Sequence, residues 1–182
     1  MTVLPALPVA VPLLVAAALA ATVRLFSWRR VVDVLTLATA VAVTVLCVLL
    51  LVRSTDDTIV YWFGGWEPRD GIALGISFTI DPISAGLATF AGLLMSVALI
   101  VSWRHFGSVG QVFHALMLVF LAAMVGFALS GDLFNMFVFF ELMSISAIAL
   151  TGYEVDERPA INGSLNFAIT NTIGGFLVLS GI

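Results

Sequence analysis

The sequence predicts an all-α transmembrane protein of about six membrane-spanning helices with a short β-hairpin-like loop on the extracytoplasmic side. Three observations carry that expectation. Of 182 residues, 62% are hydrophobic and 10% charged, with a mean hydropathy of +1.18. A soluble domain carries about 25% charged residues, so this chain has too little polar surface to face water. Six stretches approach the ~20 apolar residues that a helix rising ~1.5 Å per residue needs to cross ~30 Å of hydrocarbon. The third observation is an uneven distribution of arginines between the loops.

Val3–Val23 is the first expected helix. Pro5, Pro8 and Pro12 fall in its first third, where proline bends or interrupts a helix. The Ala-rich stretch near Ala20 also suits a cleaved secretory signal, but a signal opens with basic residues and the first one here is Arg24. Val31–Val52 is the second helix, and residues 53–81 form the one long connection. Within it, Thr58–Phe63 and Ile72–Ile80 are rich in β-branched and aromatic residues and flank a Gly- and Pro-containing turn, the pattern of a hairpin. Tyr61, Trp62 and Trp66 suit the headgroup level as an interfacial anchor. Pro82–Trp103, Val112–Ser130, Leu133–Tyr153 and Gly163–Ile182 complete the set.

All seven basic residues are arginines. Arg24, Arg29, Arg30, Arg104 and Arg158 lie in loops on one side, leaving Arg53 and Arg69 among the acids of the other. The positive-inside rule then predicts an outside N-terminus in the plasma (inner) membrane. A net charge of −4 without a basic patch excludes nucleic acid as a partner. Cys47 is the only cysteine, so no intrachain disulfide forms. Two histidines, no phosphate-binding glycine loop and no nucleophile with its base leave no cofactor, metal or catalytic residue to expect.

Glu141 is the informative residue. It stands eight residues after Leu133, about 12 Å into the fifth helix and close to mid-membrane. A carboxylate there costs at least about 2.5 kcal/mol to insert. Desolvation favours the neutral form of such a carboxyl and a nearby cation favours the charged one, so a group held between the two exchanges protons. The plainer alternative is a protonated donor that joins two helices. Ser144 and Thr151 share its side of the helix, where they support a pathway or bond back to their own carbonyls. Asp132 suits an N-cap, or the outer mouth of a pathway. On the sixth helix Asn162, Asn166, Thr170 and Gly174 form a stripe that serves packing or a hydrated lining. His114, at the start of the fourth helix, shuttles protons or marks the interface. Asp33 is expected to pair with Arg29 or Arg30 as a solvated contact of small weight.

The run from Gly131 to Ser144, GDLFNMFVFFELMS, resembles the fifth-helix signature of antiporter-like subunits, the membrane family shared by respiratory complex I, membrane-bound hydrogenases and Mrp-type cation/proton antiporters. Gly64-Gly65-Trp66, Gly71-Ile72 and Asp81-Pro82-Ile83-Ser84-Ala85-Gly86 resemble the family's outer loop and third-helix start. The resemblance covers roughly residues 60–182, and the first two helices match only in hydropathy. It implies a proton relay in which Glu141 faces a lysine on a seventh helix, within an inverted-repeat fold of about fourteen helices. The chain is therefore expected to be the N-terminal portion of a longer protein. Asn166 stands where many relatives hold lysine, which leans toward the Mrp-type branch.

The implied function is ion translocation in a multisubunit cation/proton antiporter, with proton transport coupled to monovalent cation exchange. The alternatives are a proton-pumping subunit of an NADH:quinone oxidoreductase or membrane hydrogenase, without its own cofactor, and a structural membrane module with no pathway. Expected partners are the lipid bilayer, other membrane subunits, protons and, in the antiporter reading, sodium.

Overall fold

The computed structural model describes residues 3–23, 29–68, 75–105 and 110–182, with the backbone alone at 104 and 105. Arg24, Arg69 and Asp70 lie outside the described residues. The order is α1 (Leu7–Thr22), α2 (Arg29–Ser54), β1 (Ile59–Trp62), β2 (Ser77–Ile80), α3 (Pro82–His105), α4 (Gln111–Leu129), α5 (Leu133–Thr151) and α6 (Arg158–Gly181). Leu4–Thr22, α2, Pro82–Trp103, α4 and α5 are long and apolar enough to cross a membrane. α6 is as long as α3, but its asparagines, threonines and glycines keep it below the apolarity of those five. It also starts at Arg158 rather than at Gly163. Pro159 occupies its first turn, where a missing N–H leaves no bond unmade.

Pro5 and Pro8 are accommodated likewise. Pro5 lies in a 3-10 turn, Leu4–Ala6, and Pro8 in the first turn of α1. Pro12 sits inside α1, which continues past it to Thr22.

α4 is the central helix. It packs against α1, α2, α3 and α5, and its Leu118, Leu121, Val125 and Leu129 are fully buried. α2 brings Val43, Cys47 and Leu50 to the same core. Gly92 lets α3 approach α2 closely, since a Cβ there would stand 3.2 Å from the Thr44 Cα. α5 packs on the far side of α4, and α6 packs on α5.

The hairpin is an antiparallel pair with Ile59 opposite Ile80 and Trp62 opposite Ser77. Gly64 and Gly65 take φ of 67° and 73°, conformations open to glycine, as the chain leaves β1. β2 does more than cover an outer surface. Phe78 and Ile80 are buried in the helical core, and Phe78 touches the rings of Phe63 and Phe139, at centroid distances of 4.9 and 6.0 Å. Tyr61 and Trp62 are half-buried and only Trp66 stands well exposed.

Candidate functional site

Asp132 begins the helix that carries Glu141. Its Oδ1 accepts from the Asn135 N–H at 2.7 Å, the N-cap expected of an aspartate there. Its Oδ2 accepts from the Ser77 N–H at 3.3 Å, and the Gly131 N–H donates to the Ser77 carbonyl at 2.9 Å. The start of α5 is thereby fastened to β2. Two turns further along, the Phe139 ring fills the space over Gly126 of α4.

Glu141 points toward α6. Its Oε1 is buried, has no hydrogen-bond partner among the described residues, and lies against Gly175 where a Cβ would otherwise be. Gly175 is the buried residue of α6. Nearer the start of α6, Ser164 Oγ donates to the Ile148 carbonyl at 3.0 Å, which holds the two helices together one end away from the carboxyl. The site is thus a half-buried acid held against bare backbone, with one oxygen unsatisfied. That is a group able to hold a proton or to meet another donor.

The other residues singled out from the sequence do not gather around it. Ser144 is buried but donates to the Phe140 carbonyl at 2.8 Å, and exposed Thr151 donates to the Ala147 carbonyl at 2.8 Å. Both thus make the back-bonds of helix hydroxyls. Asn166 is exposed and lies nine residues before Gly175, on the opposite face of α6. Its carbonyl accepts from Thr170. The stripe Asn162–Asn166–Thr170 therefore faces away from α5.

Asp33 and His114 correct the expectation of a solvated contact. Asp33 is buried, and the structure pairs it with His114 across α2 and α4, with Nε2 2.8 Å from Oδ1. Each residue lies about one turn into its helix at the same end of the bundle. That shared depth is the sequence signal that would have joined them. No sequence feature pointed to Gly175 in particular among the small residues of α6. Among the described residues no three His, Cys, Asp or Glu side chains come together as a metal site.

No protein-family model matches the chain. Among curated proteins it is 32% identical to NADH-quinone oxidoreductase subunit N of Desulforudis audaxviator, across 98% of this chain and 35% of that protein. It is 29% identical to a putative antiporter subunit of Staphylococcus haemolyticus, across 97% of this chain and 34% of that protein. The solved structure of the Mrp complex from Dietzia sp. contains a chain that superposes on all of this one and 34% of itself, with a TM-score of 0.85 and 25% identity. The chain belongs to the antiporter-like subunit family. This antiporter-like subunit is a multi-pass membrane protein, and its relatives are subunits of multisubunit complexes. The similarity reaches past the motifs at residues 60–182 to include the first two helices. The chain spans about a third of the length of the curated relatives named here.

Proposed function

We propose that this antiporter-like chain is part of an ion-translocating subunit of a multisubunit cation/proton antiporter, with Glu141 as its reversible proton carrier. The observation that supports this most directly is Glu141 itself, an acid mid-way along an apolar helix with a buried oxygen that no described residue bonds. Intramembrane acids with no structural partner mark ion pathways. The proton is taken up on the carboxyl, held out of contact with bulk water, and released when a cation approaches. In the antiporter reading that release is coupled to exchange of a monovalent cation such as sodium.

Asp132 holds the outer end of the helix and has a second role at the mouth of the pathway. His114 serves the opposite end, and Ser144 and Thr151, on the side of α5 that carries Glu141, support the route when water enters it, whereas Asn166, on the face of α6 turned from α5, is left out of it. The excess of arginines in the sequence segments joining α1 to α2, α3 to α4 and α5 to α6 supports a cytoplasmic position for those loops and an outside N-terminus. The partners are other membrane subunits of the complex.

Glu141→Gln in the intact subunit tests the reading. Glutamine keeps the size and the hydrogen-bonding groups but carries no exchangeable carboxyl proton. Transport is expected to be abolished with assembly retained, and unchanged transport overturns the proposal in favour of a structural module. A second reading, a proton-pumping subunit of a redox complex, draws on the similarity to NADH-quinone oxidoreductase subunit N. Co-purification with flavin- or iron–sulfur-bearing subunits favours it over the antiporter.

A further inference from the structure

We propose that Asp33 and His114 form a second buried proton-binding site, at the end of the bundle opposite the hairpin and separate from Glu141. The two side chains are 7% or less exposed and in contact at 2.8 Å. The other ring nitrogen, Nδ1, stands 3.3 Å from the Gly110 carbonyl. A carbonyl oxygen only accepts, and so does an ionised carboxylate. A neutral imidazole has one N–H and satisfies one of these two acceptors. The ring with a proton on each nitrogen satisfies both. The pair therefore has a place for one proton more than an ionised aspartate and a neutral histidine hold between them.

Losing that proton to bulk solvent leaves Nε2–H on Asp33 and a bare lone pair opposite the Gly110 carbonyl. Proton exchange at the pair is thereby coupled to the first turn of α4. The Gly110 N–H in turn donates to the Tyr153 hydroxyl at 3.2 Å, just past the end of α5. Among the described side chains, the other ionisable groups at this end are Arg29 and Arg30 at the start of α2, both exposed, and Tyr153, Glu154, Asp156, Glu157 and Arg158 between α5 and the first turn of α6. α1 has no titratable residue, and neither does α3 before Arg104. Ten residues of α5, about 15 Å of helix, separate Glu141 from Thr151 at this end. The two acids are thus distinct sites.

The test is a pH-induced infrared difference spectrum of the assembled complex with isotope-labelled histidine, recorded over about pH 4 to 10, which brackets shifted imidazoles. An imidazole band and a carboxylate band are expected to change together. His114→Gln and Asp33→Asn should each abolish the coupled change, and Glu141→Gln should leave it in place. A His114→Gln spectrum that superposes on the unsubstituted one overturns the proposal, as does an imidazole change indifferent to Asp33→Asn. If a single variant fails to assemble, the double variant Asp33→Asn/His114→Gln places two amides that can bond each other. It should then take up one proton fewer per subunit, and an unchanged uptake overturns the site. Transport that survives Glu141→Gln sinks the reading of Glu141 while leaving these bands intact, so the two failures are distinguishable.

Discussion

The Glu141 carboxyl rests on the backbone of Gly175, with Oε1 in the volume that any side chain at 175 would claim. α5 supplies the acid and α6 supplies the room for it. The fit is one of shape rather than of hydrogen bonding, since Oε1 has no partner among the described residues.

Gly175→Ala is therefore expected to drive Glu141 out of its rotamer. Overpacking of this kind costs about 1–3 kcal/mol. Ion exchange by the assembled complex in proteoliposomes should fall about tenfold or more, the equivalent of about 1.4 kcal/mol. Adding Glu141→Asp, whose shorter side chain vacates the space, should recover part of the loss. Wild-type exchange in Gly175→Ala would show that the carboxyl has somewhere else to go.

Asp132→Ala removes an N-cap and the tether to Ser77 in one change. The cap alone is worth about 1–2 kcal/mol, and the thermal midpoint of the detergent-solubilised protein should drop accordingly. Asparagine keeps one acceptor for the cap, but its NH2 cannot accept from the Ser77 N–H, so it should retain part of the stability. Equal losses in the two variants would mean that the cap bond contributes little.

Gly126→Ala should destabilise the protein by about 1–3 kcal/mol, because the Phe139 ring already occupies the space its methyl needs. Combining it with Phe139→Leu should give back part of the stability. Additive losses in the double variant, read from thermal denaturation, would place the damage elsewhere.

Asp81 gives a pH signature outside the membrane-spanning segments. The Ser84 N–H donates to its carboxylate at 2.7 Å, and the Asp81 N–H donates to Ser84 Oγ at 2.9 Å, a reciprocal cap at the start of α3. The backbone bond from Ser84 holds the Asp81 carboxyl below its ordinary value. A carboxyl depressed in the folded state stabilises it above the unfolded pKa, about 3.9, and the gain is lost as pH falls through the lower folded value. The carboxyl resonance of Asp81 should therefore titrate below an ordinary aspartate. Ser84→Ala, which keeps the backbone bond, should move it only part of the way back. An Asp81 that titrates like a free aspartate would contradict the cap.

Hydropathy located the helices because water and hydrocarbon sort residues by composition, which is read one position at a time. The N-cap at Asp132 was legible for the same reason, since a cap is a local bond between near neighbours. What the sequence hid depends on which helix lies beside which. Asp33 looked like a solvated surface residue beside arginines four and three residues before it, and it is buried against a histidine 81 positions away on α4. The polar stripe of α6 looked like a packing face, yet α5 meets the opposite face through Ser164 and Gly175. β2 looked like an interfacial strand, and its alternation did not reveal that Phe78 and Ile80 enter the helical core.

A single carboxylate at Asp132 serves two masters, the first turn of α5 through one oxygen and the strand β2 through the other. Any pull that lifts the hairpin from the bundle must slacken the root of the helix on which Glu141 is mounted. A subunit gripping that hairpin from outside would have a mechanical handle on the buried acid without coming near it.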